Sequence, residues 1–327
     1  MPYRVGVIGG DGIGPEVVAE GLKVIAATGV QLDVVHYDLG AARYLRDGAV
    51  LDDATIAEWR QLDALYMGAV GGPEVAPGII ERGLLLKMRF ELDLYINFRP
   101  FTAPGHDFVV IRENTEGSYA GEGGFLRRGT PAEIATQGSV NTRHGVERAV
   151  RYAFELAAGR RRHLTLVHKT NVLTFAGDLW ERTFHEVAEQ YSDVDTAYNH
   201  VDAACIYFVE DPARYDVIVT DNLFGDILTD LGGAVSGGIG LAPTANLHPG
   251  RVSMFEPVHG SAPDIVGTGL ANPVAAVLSG AMMLEHLGLP DAAGRIRRAC
   301  EKPETLTGTT SEIGDAIVER LSAESTE

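Results

Sequence analysis

Two aspartates, Asp226 and Asp230, lie four residues apart in a segment with a helical pattern. Side chains four apart on a helix share a face, and two like charges there destabilise it unless a cation lies between them. Carboxylate oxygens suit Mg²⁺ or Mn²⁺ rather than zinc, and Asp202 is a possible third ligand. The spacing therefore indicates a divalent-metal site. Two solvated helix carboxylates are the alternative, which the apolar neighbours make less favourable.

Three arginines, Arg89, Arg99 and Arg112, each stand beside apolar residues instead of in a charge-rich segment. A guanidinium group binds a carboxylate in two-point geometry, so converging arginines would suit an acid with more than one carboxylate. Each arginine alone would equally fit a surface or ion-paired position. On a helix Arg82, Leu85 and Arg89 would share a face, which predicts an apolar contact beside the charged one.

Two further residues could transfer protons. Lys169 follows an apolar strand, and open α/β sheets bind ligands at the ends of their strands. A partly desolvated lysine there can act as a general base. Tyr119 comes shortly after Arg112 and could give or take a proton. The alternative is that both are ordinary strand-end or packing residues.

The elements that must position these residues alternate between short apolar runs and longer helical patterns. Strand-like runs at 4–8, 32–35 and 64–70 precede helical segments that include 15–27 and 83–92. This alternation predicts an α/β fold with a largely parallel sheet. Between residues 97 and 145 the pattern changes to Gly- and Thr-rich strands, which predicts a second lobe with a protruding arm. Residues 241–272 look rich in loops, and two helices follow at 273–287 and 290–300.

Composition limits the classes of partner. The 327 residues carry a formal net charge of −18 and include only two cysteines. Such acidity disfavours nucleic acids and anionic membranes, so a small-molecule substrate is expected. The cysteine usage and the N-terminus, which lacks a signal-peptide pattern, favour the cytoplasm. The turn at residues 9–15 is not a dinucleotide fingerprint, because Pro15 occupies the place of the third glycine.

Taken together, several ordered segments make the chain resemble the isocitrate and isopropylmalate dehydrogenase family. The resemblance extends over nearly the whole length. The segments that carry it are Gly10–Glu16, the arginine segment, Arg112–Gly117, the strand before Lys169, Asp221–Asp230 and Glu256–Ile265.

The resemblance implies a role for each candidate residue. It implies that Arg89, Arg99 and Arg112 bind the malate portion of the substrate, and that Asp226 and Asp230 bind Mg²⁺ or Mn²⁺ together with Asp202 of a partner subunit. Lys169, also from the partner, would take the hydroxyl proton, and Tyr119 would protonate the enol. The implied cofactor is NAD, since Asp264 would repel a 2′-phosphate. The cofactor-binding positions would be His259, Gly260, Ser261, Ala262, Asp264 and Asn272.

The implied reaction is the NAD-dependent oxidative decarboxylation of a 3-substituted (R)-malate. Leu84, Leu85 and Leu86 favour an apolar substituent, and the resemblance implies (2R,3S)-3-isopropylmalate, a substrate of leucine biosynthesis. Tartrate, homoisocitrate or another 3-alkyl or aralkyl malate is the alternative, as is a non-catalytic protein that binds an acid. Many relatives have a Glu near the nicotinamide ribose, seven residues before the position of Arg89. Here Arg82 occupies that position, and Glu81 lies one residue earlier.

The resemblance also implies an isopropylmalate dehydrogenase-like architecture of two lobes around a central cleft. Residues 1–98 and 237–327 would form a large, discontinuous cofactor-binding lobe. Residues 99–236 would form a smaller lobe that binds substrate and metal and carries a dimerisation arm. The protein would then be a homodimer with shared active sites.

Overall fold

The computed structural model describes residues 2–324, and this part of the chain contains twelve strands and eleven α-helices. The strands are β1 Tyr3–Gly10, β2 Leu32–His36, β3 Ala64–Ala69, β4 Ile96–Ala103, β5 His106–Glu113, β6 Gly123–Leu126, β7 Ile134–Gln137, β8 His163–His168, β9 Asp195–His200, β10 Val217–Thr220, β11 Pro243–Leu247 and β12 Met254–Pro257. The α-helices are α1 Gly14–Ala27, α2 Ala41–Asp47, α3 Asp53–Trp59, α4 Lys87–Glu91, α5 Arg143–Ala158, α6 Thr174–Ala188, α7 Val201–Glu210, α8 Asn222–Val235, α9 Val274–His286, α10 Pro290–Ala299 and α11 Thr310–Glu324. A π-helix, Glu81–Leu86, leads directly into α4.

The chain divides into two compact units. One boundary lies between Leu94 and Tyr95, and the other between Gly237 and Gly238, so the first unit contains both ends of the described chain. The sequence placed these boundaries after residues 98 and 236. Tyr95 falls in the second unit, where its carbonyl oxygen accepts a hydrogen bond from the backbone N–H of Asn114 and so continues the pairing of β4 with β5 beyond Ile96 and Glu113.

The first unit contains a sheet in the order β2-β1-β3-β12-β11. The first four strands are parallel and β11 is antiparallel to β12. All six residues of β3 are buried, which is typical of a parallel strand covered by helices on both faces. The expectation of an α/β fold is confirmed. The segment 241–272, expected to be rich in loops, also contains the short strands β11 and β12, each bounded by a proline, which the sequence analysis did not predict.

The core of the first unit includes the helix α9, in which ten of thirteen residues are buried. This confirms the prediction of a helix at residues 273–287. A second cluster on this unit joins Trp59, Leu65, Leu84 and Met88. No helix within residues 2–324 is long and apolar enough to cross a bilayer.

The second unit contains a sheet in the order β4-β5-β10-β8-β9. The neighbouring strands β5, β10, β8 and β9 are parallel, and β4 is antiparallel to β5. Its apolar core surrounds Phe108, Phe208 and Tyr215, whose rings contact one another. Strands β6 and β7 form a separate two-stranded hairpin in the segment where the sequence predicted an arm, and every residue of both strands is exposed.

Candidate active site

Two of the three arginines lie together in the second unit. Arg99 is on β4 and Arg112 is on the neighbouring strand β5, where Asn97 pairs with Arg112 and Arg99 pairs with Val110. Residues 97 and 99 point to the same face of a strand, so the two arginines share that face as diagonal neighbours. Both side chains are buried. Burial of a guanidinium is costly unless its donors are satisfied, so their partners define the site.

Arg112 is held by helix α8. The Oδ1 atom of Asn222 accepts hydrogen bonds from Nε and Nη2 of Arg112, at 3.0 and 2.7 Å, and Nη1 forms a short ion pair with Asp226. The Asp221 side chain caps this helix by accepting from the backbone N–H of Phe224. Gly225 allows the close packing, since a Cβ atom there would lie 2.4 Å from Cγ of Arg112.

Arg99 has its own set of contacts. Its Nε donates to Asn97 at 2.8 Å and its Nη1 to Thr229 at 2.9 Å, and Asp230 Oδ1 lies 3.8 Å from Nη1. Asp226 and Asp230 therefore each face an arginine, which relieves the like-charge repulsion expected from their spacing. Sequence reasoning missed the residues that orient the arginines, namely Asn97, Asn222 and Thr229.

Tyr119 belongs to the same cluster. Its hydroxyl donates to Oδ2 of Asp226 at 2.7 Å, and the Arg112 guanidinium lies 5.3 Å from the centre of its ring. Burial acts to raise the pKa of Asp226, but the charge of Arg112 and the hydrogen bond from Tyr119 outweigh it, so this pKa lies below its ordinary value. Asp226 is therefore a carboxylate at neutral pH, as a metal ligand must be.

Lys169 and Asp202 form a separate pair in the second unit. Lys169 follows the end of β8, and its Nζ atom lies 2.6 Å from Oδ1 of Asp202 in the first turn of α7. This hydrogen bond holds the pKa of Asp202 below its ordinary value. Within residues 2–324 of one chain, no group of three His, Cys, Asp or Glu side chains could hold a metal ion. A metal site at Asp226 and Asp230 would therefore require a further ligand from outside the described residues of this chain.

Arg89 lies in the first unit, on α4. Its Nη2 atom is 3.8 Å from Oε1 of Glu256, and that same oxygen accepts a hydrogen bond from Asn246 at 2.9 Å. Glu256 lies on β12, which leads into the candidate cofactor loop. Sequence reasoning recognised Glu256 only as part of a motif, without assigning it a contact.

The segment before Arg89 is a π-helix, which sequence reasoning did not foresee. Two α-helical turns take about seven residues, and a π turn takes one residue more. Counted in this way, the residue two turns before Arg89 is the one eight positions earlier, Glu81, instead of Arg82. The leucines follow within the π-helix: Leu84 is fully buried, whereas Leu85 and Leu86 are half-buried. Isolated π-helical turns are frequent at functional sites.

The glycine turn at the start of the chain supports the candidate cofactor loop. The backbone N–H of Ile13 donates to the carbonyl oxygen of Ser261 at 2.9 Å. Gly12 has a positive φ of 58°, and a Cβ atom there would lie 1.9 Å from the same oxygen. Ala262, next in the loop, has a φ of 42°, which is unusual for a residue with a side chain. The turn therefore has a packing role that its sequence did not reveal.

The remaining candidate cofactor residues lie along this loop and the start of α9. Burial lowers the pKa of His259, so its ring is neutral at pH 7. Its Nδ1 atom contacts the carbonyl oxygen of Gly260 at 3.0 Å, while its buried Nε2 atom has no hydrogen-bond partner among the described residues. The Asp264 side chain is exposed, and Asn272 accepts a hydrogen bond from the N–H of Val274.

Several known proteins are similar to this chain in sequence and in fold. Residues 4–325 match the isocitrate/isopropylmalate dehydrogenase family. The 3-isopropylmalate dehydrogenase of Corynebacterium aurimucosum is 58% identical over 338 residues, which cover 98% of this chain and 100% of the relative. The enzyme of the same name from Corynebacterium diphtheriae is 58% identical, with 97% and 99% covered. The solved isocitrate dehydrogenase of Methylococcus capsulatus has a TM-score of 0.90 at 39% identity, with 98% and 99% covered.

The chain belongs to the isocitrate/isopropylmalate dehydrogenase family. The resemblance inferred from the motifs is confirmed, and the protein is an enzyme, a β-decarboxylating dehydrogenase.

Proposed function

We propose that this enzyme converts (2R,3S)-3-isopropylmalate into 4-methyl-2-oxopentanoate and CO₂ with reduction of NAD, a step of leucine biosynthesis. The observation that carries the proposal is the cluster in which the buried Arg99 and Arg112 meet the half-buried Tyr119 and Asp226, in a chain of this family. The relatives that are 58% identical over almost the full length are 3-isopropylmalate dehydrogenases, which supports this substrate over isocitrate.

Each residue of the site has a separate role in the proposed reaction. Arg99 and Arg112, with Arg89, bind the carboxylates of the acid. The amine of Lys169 takes the proton from the C2 hydroxyl while C2 loses a hydride, which makes a ketone. The bond to the β-carboxylate then breaks and its electron pair remains as an enolate while CO₂ leaves. The Tyr119 hydroxyl finally protonates C3.

The donor set fits a divalent cation. Asp226 and Asp230 supply hard oxygen ligands, and the lowered pKa of Asp226 keeps it ionised. Asp202 of a partner subunit would complete the set. Mg²⁺ or Mn²⁺ bound there would withdraw electrons from the C2 oxygen and stabilise the developing negative charge.

The cofactor loop fits NAD. The buried Nε2 atom of His259 needs a polar partner, which the adenine of a dinucleotide can provide. Gly260 leaves open space where a Cβ atom would be, and Asp264 presents an exposed carboxylate. That carboxylate would accept hydrogen bonds from ribose hydroxyls and repel the 2′-phosphate of NADP. NAD bound at this loop would supply the acceptor for the hydride that C2 loses.

The π-helix sets the substrate pocket in this proposal. Leu85 and Leu86 are only half-buried and offer apolar surface for the isopropyl group. By the residue count of the π turn, Glu81 would lie on the face of Arg89 and contact the nicotinamide ribose. Arg82, which occupies the usual position in the linear sequence, would then lie off that face.

A homodimer with shared active sites completes the proposal. Helices α7 and α8 contact each other and expose Ile206, Val209, Leu223 and Ile227, an apolar face that a second copy would bury. The hairpin β6–β7 exposes Phe125, Leu126 and Ile134. A two-stranded hairpin is marginal in water by itself, so pairing with a second copy would stabilise it.

Absorbance at the NADH band tests the reaction. We expect a rise with 3-isopropylmalate, NAD and Mg²⁺, and a smaller rise or none with isocitrate, homoisocitrate, tartrate or NADP. Asp230→Asn should lower kcat/KM at least about hundredfold, whereas Asp193→Asn, which removes an exposed carboxylate elsewhere in the unit, should not. If none of the acids led to reduction of NAD, the proposed reaction would be refuted. Calorimetry that shows acid binding without turnover would then favour a non-catalytic binding protein.

Mixed dimers test whether the sites are shared. Lys169→Met and Asp226→Asn should each be inactive as homodimers. When equal amounts are unfolded and refolded together, half of the dimers should be mixed, and each mixed dimer should contain one complete site. About a quarter of the normal activity should therefore return. If all catalytic groups acted within one chain, no activity would return. Asp193→Asn mixed with either variant gives the reference for random assembly.

A further inference from the structure

One phenol oxygen holds the backbone on both sides of Lys169. The hydroxyl of Tyr198 on β9 lies 3.2 Å from the carbonyl oxygen of His168 and 3.1 Å from the backbone nitrogen of Thr170. These two atoms belong to the peptide groups that flank Lys169. Their contacts to a single atom restrict both backbone dihedrals of Lys169, and therefore the direction in which its side chain leaves the chain.

The same oxygen also contacts the start of helix α7. His200 Nδ1 lies 2.8 Å from the Tyr198 hydroxyl, and the two rings meet edge to face. His200 is the residue before α7, whose first turn carries Asp202. Asp202 in turn forms the 2.6 Å contact with Lys169. Tyr198 thus connects the two backbone segments that present the members of this pair.

The Tyr198 hydroxyl has more polar neighbours than hydrogen bonds that it can form. A phenol has one proton to donate and two lone pairs, yet four polar atoms lie within 3.2 Å of this oxygen, including Thr170 Oγ1 at 3.0 Å. Other contacts fix the same segment: the carbonyl oxygen of Lys169 accepts from the backbone N–H groups of Val172 and Leu173. Gly177 packs against Thr170 so closely that a Cβ atom would lie 2.6 Å from its Cα.

We infer that Tyr198, with Thr170 and His200, is a positioning group that fixes the Lys169–Asp202 pair for proton transfer. The inference rests on the proposed function, in which Lys169 is the base. Tyr198 contacts neither substrate nor cofactor in this role and acts through the backbone. A displacement of about 1 Å at a catalytic group can lower the rate about hundredfold, so a few hydrogen bonds suffice for a large effect.

The test is Tyr198→Phe, which removes the hydroxyl and keeps the ring. We expect kcat to fall at least about tenfold while the KM values for the acid and for NAD change less than about twofold. The deuterium isotope effect on kcat, measured with substrate labelled at C2, should increase because the hydrogen-transfer step becomes slower. If kcat fell only because some of the molecules were misfolded, the remaining active enzyme would keep the original isotope effect. An unaltered isotope effect would therefore overturn the inference.

The matched control is Tyr215→Phe. Its hydroxyl donates to Asn199, the residue beside Tyr198, at 2.9 Å and does not contact the peptides around Lys169. We expect this variant to keep the unaltered kcat and isotope effect. An equal loss of kcat in both variants would show a general packing effect and refute the positioning role. His200→Phe, which removes one partner of the hydroxyl, replaces Tyr198→Phe if the latter does not fold and should lower kcat at least about threefold; unaltered kinetics would overturn the inference.

Amide exchange tests the contact without any turnover. The Thr170 N–H should be protected in the unaltered protein and in Tyr215→Phe, and should exchange at least about tenfold faster in Tyr198→Phe. Equal exchange in the three proteins would overturn the inference. If the unaltered enzyme reduced NAD with none of the acids, the proposed function would fail. If it were active and Tyr198→Phe had unaltered kinetics, only the positioning role would fail.

Discussion

Gly225 offers a direct test of how helix α8 holds Arg112. A Cβ atom at this position would lie 2.4, 2.7 and 2.9 Å from Cγ, Cβ and Cδ of Arg112. Arg112 cannot move away easily, because it lies on a buried strand and is held by Asn222 and Asp226. Gly225→Ala should therefore displace the guanidinium group or the helix.

The expected size follows from two opposing effects. Replacing glycine by alanine inside a helix stabilises it by about 1 kcal/mol. Forcing a methyl group into a filled core costs about 1–3 kcal/mol. The net effect on the free energy of unfolding should lie between no change and a loss of about 2 kcal/mol. The displaced arginine should also raise the KM for the acid about tenfold, which corresponds to about 1.4 kcal/mol.

Gly294→Ala is the control. Gly294 lies inside α10, and its nearest contact would be Nη1 of Arg298, the end of a flexible side chain, at 3.4 Å. This variant should be more stable than the unaltered protein by about 0.5–1 kcal/mol. Urea unfolding and steady-state kinetics of both variants measure the difference. Equal stabilisation by the two substitutions, with an unaltered KM for Gly225→Ala, would refute the packing argument.

Three other results are expected. Asp264→Arg should raise the ratio of kcat/KM for NADP to that for NAD at least about tenfold, and an unaltered ratio would remove the ribose contact from our proposal. The lowered pKa of Asp226 contributes stability at pH values above 3.8, its ordinary pKa, and this contribution is lost as the pH falls through the pKa of the folded state. The difference in unfolding free energy between the unaltered protein and Asp226→Asn should therefore decrease below about pH 4. A difference that stays constant during acid unfolding would contradict this. Burial raises the pKa of the Cys300 thiol to about 12, so a thiol reagent at pH 8 should modify it only after unfolding, and prompt labelling of native Cys300 would be inconsistent with its burial.

Local patterns in the sequence were sufficient for much of the fold and for the list of candidate residues. The four-residue spacing of Asp226 and Asp230 placed both on helix α8, and the apolar run before Lys169 is strand β8. Such patterns can be read because helix and strand periodicities depend on neighbouring residues. The strands β11 and β12 escaped notice because they are short and because β11 begins with a proline and β12 ends with one.

The contacts that orient the site could not be read in this way. Asn222 holds Arg112 from 110 residues away, and Thr229 contacts Arg99 across 130 residues. Neither residue type is distinctive, and no local spacing joins the partners. The π-helix was hidden for another reason: a pattern of apolar residues in one segment does not reveal that a turn contains an additional residue.

The sequence by itself determined the family, the reaction class and the residue types that can bind an acid, a cation and a dinucleotide, because these depend on chemical groups and on short spacings. Only the tertiary structure decided how the groups are paired: Arg112 with Asp226, Tyr119 with Asp226, Lys169 with Asp202, and Gly12 with the loop at Ser261. The physical reason is that the energy of such a pair depends on distance and burial, which are set when segments far apart in the chain pack together.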